Sequence, residues 1–172
     1  MTAECQYSVE RPPNIFAKPD ISSVLENQQR KLRTEVGLFS ASSLAPESFA
    51  ATEAQVITKY SIAPLEIDWT QESAKKEEVA EARPSDFGHG QTFQSHEIVL
   101  RITVPFSGDR HLFEFRPTVF PNMVPRAVVR EGELEFIYQA TQHELARLRQ
   151  EHDENVKLIK TCVTQTNELL AA

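Results

Sequence analysis

Residues 96–116, HEIVLRITVPFSGDRHLFEFR, decide the fold of this chain. Within this stretch, apolar side chains occur at every second position: Ile98, Leu100, Ile102 and Val104. Alternation with a period of two is typical of a β-strand that covers a core with one face only. We therefore predict a strand here, with these four residues on its covered face and with Arg101 and Thr103 on the other face.

Neighbouring patterns predict that this strand belongs to an antiparallel sheet. The Ser-Gly-Asp run at 107–109 is a turn signal, and alternation resumes over 111–116, which together indicate a hairpin. A second hairpin is predicted where residues 127–129 and 134–138 flank a glycine-containing turn. Residues 65–69 alternate as well. The result is an antiparallel β-meander of four or five strands.

Helical periodicity is present on both sides of the predicted sheet. Residues 21–36 repeat apolar side chains on one helical face, and a second helix is expected to begin at Pro46, so that the two form an antiparallel pair. Thr141 and Glu144 have the capping-box spacing at the start of a long helix over residues 141–171. The sequence therefore predicts the α+β class, with the meander packed against an N-terminal helix pair and one long C-terminal helix.

The remaining segments are predicted from their lack of periodicity. Residues 1–19 contain no apolar repeat, which indicates an extended N-terminal arm. Residues 70–91 are polar, carry mixed charges and end near two glycines, which indicates a mobile loop. A chain of 172 residues is expected to form one core, so we assign residues 20–172 to a single domain.

Composition and charge disfavour several function classes. The formal net charge of -7 is unfavourable for binding nucleic acid unless the basic residues gather on one face. No apolar run approaches the roughly 18 residues that a membrane span needs, and residues 1–13 lack the pattern of a secretory signal. Cys5 and Cys162 stand far apart, which favours a reducing compartment. We therefore expect a soluble, cytoplasmic protein that binds neither nucleic acid nor membrane.

Candidate chemistry is confined to a group of histidines and one carboxylate: His89, His96, Asp109 and His111. If these side chains converged, they would be suited to a divalent metal ion that activates water. Their spacing lacks the close pairing of histidines that makes metal motifs specific, so polar residues at a loop and at strand ends are the simpler interpretation. We assign no catalytic, cofactor-binding or metal-binding residue, and a metal-assisted hydrolase built on residues 86–111 is the alternative function.

The long helix carries the predicted partner surface. A heptad seam runs along it and is polar in its middle, and polar residues at such positions lower stability while they fix register or oligomeric state. The predicted partner-binding residues are Leu145, Leu148, His152, Asn155, Ile159 and Leu169.

Two interpretations of this seam are open. It binds a protein partner or a second copy of the chain, or it is covered within the chain by the helix over residues 21–36. The favoured function is a protein-protein interaction or assembly module that uses the long helix or an exposed strand edge. Such a module is also suited to be the N-terminal regulatory or targeting part of a larger protein. An enzyme is the less favoured class, and no cofactor is expected.

Overall fold

The structure is a computed structural model that describes residues 11–40, 45–84, 92–118, 123–141 and 144–171, with the backbone alone at 47, 80–84 and 92–96. Its helices are α1 (Ile21–Gly37), α2 (Pro46–Tyr60) and α3 (Leu145–Ala171). Its strands are β1 (Lys18–Asp20), β2 (Glu66–Ile67), β3 (Ser73–Pro84), β4 (Thr92–Ser107), β5 (Phe115–Arg116), β6 (Val128–Val129) and β7 (Glu133–Thr141). Short 3-10 helices span Trp69–Gln71 and Arg110–Glu114. The predicted α+β class, with an antiparallel sheet and a long C-terminal helix, is confirmed.

The strand β4 is the centre of the five-stranded sheet. It pairs with β7 along one edge and with β2 and β3, one after the other, along the opposite edge, always antiparallel. β6 pairs with the far side of β7, which confirms the second predicted hairpin. The predicted register of β4 is also confirmed, because its core-facing side chains are the expected ones: Ile98, Ile102 and Val104 are buried, and Leu100 packs against the same core.

The opposite face of the sheet carries two buried carboxylates, Glu97 and Glu135. Glu135 on β7 accepts hydrogen bonds from Arg130 at 2.6 Å and from Arg101 on β4 at 3.2 Å. Burial by itself would raise the pKa of Glu135, but the two guanidinium groups outweigh it and hold this pKa below its ordinary value. The carboxylate of Glu135 therefore stays charged, and it links β7 both to β4 and to the turn that precedes β7.

The prediction of a loop over residues 70–91 is wrong for most of its length. Residues Ser73–Pro84 form β3, which pairs with β4 throughout. β3 is an edge strand whose described side chains are exposed or half-buried, so it does not need the apolar alternation that the sequence lacks. Cross-strand contacts support it instead: the hydroxyls of Ser73 and Thr103 lie 2.8 Å apart. Residues 85–91 lie outside the described residues.

The first predicted hairpin is wrong as well. After β4 the chain enters the 3-10 helix Arg110–Glu114, and β5 then pairs in parallel with β1 and not with β4. Gly108 has a φ of 103°, and a Cβ at this position would lie 2.0 Å from the carbonyl oxygen of Pro64. The glycine therefore lets the backbone pass close to a neighbouring segment, where the Asp109 N–H donates to the Ala63 carbonyl.

The segment before α1 is anchored in the core. Asn14 bridges to Arg126 in an antiparallel pair, and the chain then bends at Phe16, which has a φ of 55°. This conformation costs an aromatic residue about 1–2 kcal/mol. The Phe16 ring is fully buried and packs 5.7 Å from the ring of Phe113, which offsets that cost. The sequence pattern did not indicate that this part of the predicted arm enters the core.

The N-terminal helices have the predicted boundaries. Asp20 caps α1 by accepting a hydrogen bond from the Ser22 N–H, and α2 begins at Pro46. The two helices are joined where Gln28 donates to the Tyr60 carbonyl and where Glu35 accepts from Lys59 at 2.5 Å.

The long helix α3 lies against the inner face of the sheet. Its buried side chains follow the predicted seam: Leu148, His152, Ile159, Cys162 and Thr166. Near its end, the Asn167 side chain donates to the Leu65 carbonyl at 2.8 Å and accepts from the Leu65 N–H at 3.0 Å, which ties α3 to the start of β2. Within the described ranges, no helix has both the length and the apolar character that crossing a membrane requires.

We expect Leu134→Ala to lower the free energy of unfolding by about 2–5 kcal/mol, because it truncates a fully buried side chain at the pairing of β7 with β4. The matched control is Ile57→Ala on α2, where the side chain is 59% exposed and the expected change is below about 0.5 kcal/mol. Urea denaturation followed by circular dichroism measures both. Equal effects would contradict the placement of Leu134 in the core.

Candidate functional site

The structure places the predicted partner residues of α3 mostly inside the fold of the chain itself. Leu148, His152 and Ile159 are 2%, 8% and 0% exposed. Leu169 packs against the core, Asn155 is half-buried, and Leu145 remains exposed. The sheet covers this seam, whereas the intramolecular alternative predicted that α1 would cover it. A partner can therefore reach the buried part of the seam only if α3 leaves the sheet.

The polar residues of the seam form a hydrogen-bonded cluster with β7. The Tyr138 hydroxyl lies 3.1 Å from Nδ1 of His152 and accepts a hydrogen bond of 3.2 Å from Asn155. On the other side of the imidazole, Nε2 of His152 lies 3.4 Å from a carboxylate oxygen of Glu72. These contacts explain why His152 and Asn155 interrupt the apolar seam, since both have a partner outside α3. The buried hydroxyl of Thr166 has no hydrogen-bond partner among the described residues.

The order carboxylate, imidazole, hydroxyl in this cluster is also the order of a nucleophile relay. Burial raises the pKa of Tyr138 to about 12, so its hydroxyl keeps its proton at neutral pH. An activated nucleophile requires the opposite, a proton that is easily removed. The cluster of Glu72, His152, Tyr138 and Asn155 is therefore suited to orienting α3 on the sheet and not to covalent catalysis.

The residues considered for a metal site are engaged elsewhere or lie outside the description. Asp109 accepts a hydrogen bond from the backbone N–H of His111 and so caps a 3-10 helix. Nδ1 of His111 lies 3.7 Å from Glu114. All of His89 and the side chain of His96 fall outside the described residues. In the part of the chain that is described, no three His, Cys, Asp or Glu side chains are grouped to hold a metal ion.

An open groove, here called the β7 groove, lies along the free edge of β7. It has a volume of about 560 Å³ and is lined by residues 137–141, by Arg11, Pro12 and Arg126 on one side, and by the first turns of α3 on the other. β6 pairs with β7 only at Leu134 and Glu135. Among the described residues, β7 therefore has no strand partner on this side from residue 136 onward.

The β7 groove exists because the chain before β6 pairs with another segment. The Ala127 N–H donates to the Pro13 carbonyl, and the Ile15 N–H donates to the Pro125 carbonyl. Residues 125–127 are thereby drawn towards residues 13–15 and away from β7. The sequence predicts an exposed strand edge without its position. A signal for the position is the difference in length between the two arms of the second hairpin, residues 127–129 and 134–138.

The charged residues of the β7 groove are partly neutralised. Glu144 accepts a hydrogen bond from the Thr141 N–H and pairs with Arg147 at 3.1 Å, and these contacts hold the pKa of Glu144 below its ordinary value. Arg126 donates to the amide oxygen of Asn14, which is a neutral partner. Of the groove's charged residues, Arg126 is therefore one whose described hydrogen bond leaves its charge without neutralisation.

The two edges of the sheet differ in charge. At the outer edge formed by β3, Lys75, Lys76, Glu77 and Glu78 occupy consecutive positions. Charged side chains of this kind prevent another strand from pairing with an edge. At the β7 groove, residues 136–141 read FIYQAT and contain no charged side chain. The edge along this groove therefore lacks that protection.

A smaller groove of about 410 Å³ lies between residues 13–18 and β6. The strand that borders this groove, β6, has two residues, so the groove presents little backbone for pairing. Of its cationic side chains, Lys18 pairs with Glu114 at 2.6 Å. The β7 groove is therefore the better candidate for an interaction surface.

Ile159→Asp should abolish cooperative folding, because the new carboxylate would be buried without a partner against the sheet of the same chain. The matched control Lys157→Asp changes an exposed position of the same helix and should leave a folded protein. Sedimentation and thermal denaturation of both variants test this. A folded Ile159→Asp monomer would contradict the intramolecular burial of the seam.

Tyr138→Phe tests the polar cluster, because it removes a hydroxyl whose pKa is higher in the folded chain than its ordinary value of 10.0. A raised pKa means that the protonated hydroxyl stabilises the fold fully below pH 10, and that this contribution is lost as the pH rises through about 12. We expect the unfolding free energy to fall more steeply above pH 10 in the unmodified chain than in Tyr138→Phe. Parallel curves, measured by urea denaturation between pH 8 and pH 12, would contradict the buried cluster.

Comparison of the chain with protein-family models, with curated protein sequences and with solved structures produced no match. The function is therefore inferred from the geometry of the described residues.

Proposed function

We propose that this domain is a protein-protein interaction or assembly module and that its partner binds in the β7 groove. The observation that supports this is the uncharged strand edge at residues 136–141, which has no strand partner among the described residues. Such an edge presents backbone donors and acceptors that a second polypeptide can satisfy. The groove beside it provides the space that a partner segment would occupy.

The exposed strand edge replaces the seam of α3 as the proposed contact. Leu148, His152 and Ile159 already contribute to the core, and binding a partner through them would require the loss of that packing. The edge of β7, in contrast, is accessible without any rearrangement of the described residues. Leu145, Asn155 and the first turns of α3 contribute to this proposal only as neighbours of the groove.

The class of partner follows from charge. The net charge of -7 disfavours a nucleic-acid partner, so the proposed partner is another protein or a second copy of this chain, in the cytoplasm. The metal-assisted hydrolase is the weaker candidate, because Asp109 and His111 are engaged in capping and ion pairing.

A photo-crosslinking amino acid tests the proposal. Benzoylphenylalanine in place of Ile137 would lie in the β7 groove, and the matched control replaces Lys76, which lies on the charged outer edge. On irradiation of cells that express the full chain, we expect a covalent protein adduct at the Ile137 position and none at the Lys76 position.

The mass of the adduct separates the two kinds of partner, since twice the mass of the chain indicates a second copy. Adducts of equal yield at both positions, or an adduct at the Lys76 position alone, would refute the assignment of the partner surface to the β7 groove.

A further inference from the structure

We infer that the partner segment enters the β7 groove as an extended strand that carries acidic side chains on the outer face of the sheet. This inference rests on the proposed interaction function and adds the conformation and the chemical class of the partner.

The backbone geometry of β7 points towards strand pairing. In an antiparallel strand, the N–H and C=O groups of one residue point to the same side, and the side alternates along the chain. The Glu133 carbonyl accepts a hydrogen bond from the Arg130 N–H on the β6 side, so the odd-numbered residues of β7 face that side. The Thr141 N–H, which donates to the Glu144 side chain and not to β4, agrees with this alternation. Ile137 and Gln139 therefore direct their backbone N–H and C=O groups into the groove.

The length of the free edge limits the bound segment. Residues 136–141 extend over about 20 Å at roughly 3.3 Å per residue. Full pairing opposite Ile137 and Gln139 would supply a donor and an acceptor at each residue. Since Glu144 already occupies the Thr141 N–H, the pairing ends there. A segment of about five residues matches this edge.

The inner face of the groove offers little apolar surface to a partner. A partner residue opposite Tyr138 would point to the same face as Tyr138, towards α3. From α3 the groove is lined by Leu148 and by four polar residues: Glu144, Arg147, Glu151 and Asn155. Ala140 and Leu148 are already buried in the core, so the inner face does not define the class of the partner's side chains.

The outer face favours acidic side chains. Partner residues opposite Ile137 and Gln139 would point to this face, and Arg11 and Arg126 are among the residues that line the groove. Arg126 donates to the neutral amide of Asn14, so its charge is available to a carboxylate. Glu97 also lines this face, where it accepts a hydrogen bond from Gln139. Acidic side chains at alternate positions of the partner would therefore face these arginines.

Short synthetic peptides test the inference directly. The probe is a capped peptide of alternating Glu and Val with Glu at both ends and in the centre, titrated into the full chain while the amide resonances of Ile137 and Gln139 are recorded. Methylation of the central Glu nitrogen removes a donor that faces β7, and methylation of a Val nitrogen removes one that faces away. We expect the first modification, and the replacement of Glu by Lys, each to weaken binding at least tenfold, and the second to have little effect.

Variants of the chain provide the matching test. Ile137→Pro removes an N–H that faces the groove and breaks no bond to β4, so the variant should fold and lose peptide binding. Lys76→Pro removes an outward N–H at the charged edge of β3 and should bind as the unmodified chain does. Arg126→Gln should weaken binding of the Glu peptide severalfold and leave that of the Lys peptide unchanged.

Unchanged binding by Ile137→Pro, or no shift of the Ile137 and Gln139 amides at millimolar peptide, would overturn the inference. If crosslinking at the Ile137 position still captures a protein in that case, the interaction function stands and the partner binds in another conformation. If neither crosslinking nor peptide binding occurs at this edge, both proposals fail.

Discussion

The packing of α3 against the inner face of the sheet is the contact on which the rest of the structure depends. It places Ile159 and Cys162 over the core formed with Phe136 and Leu134, and it covers the apolar face of β7 and β4. Exposing an apolar face of this size to water would greatly lower the free energy of unfolding, so the helix that covers this face must stay packed against it. The seam of α3 is thereby removed from the surface.

The polar residues of that seam serve the same contact. A helix packed by apolar side chains alone can shift along a sheet, because dispersion contacts have little directional preference. The hydrogen bonds of His152 and Asn155 to the Tyr138 hydroxyl, and those of Asn167 to the Leu65 backbone, are directional and define one position for the helix. In a coiled coil such residues select a register with another chain, and here their partners belong to the same chain.

Because α3 is packed on the inner face, the two sides of the molecule differ mainly in the strand edges that they present. The charged edge of β3 resists pairing. Among the described residues, the uncharged edge of β7 has no strand partner from residue 136 onward, because residues 125–127 pair with residues 13–15. The bend at Phe16 is part of this arrangement, since it turns the N-terminal segment away towards Phe113. The same segment contributes Arg11 and Pro12 to the groove, so one short stretch of chain both creates the groove and lines it.

The sequence by itself determined the elements whose signal is local: the alternation of Ile98, Ile102 and Val104, and the helical periods of α1, α2 and α3. It misassigned Ser73–Pro84, because the described side chains of this edge strand are not buried and show no apolar alternation. It also misassigned residues 111–114, because a run as short as Leu112 and Phe113 between polar residues does not distinguish a 3-10 helix from a strand. Only the tertiary structure decided which surface covers the seam of α3 and which strand edge has no partner strand among the described residues. Both depend on contacts between residues far apart in the chain, such as Asn14 with Arg126 and Asn167 with Leu65. A local pattern of side chains does not indicate which distant residues will pair.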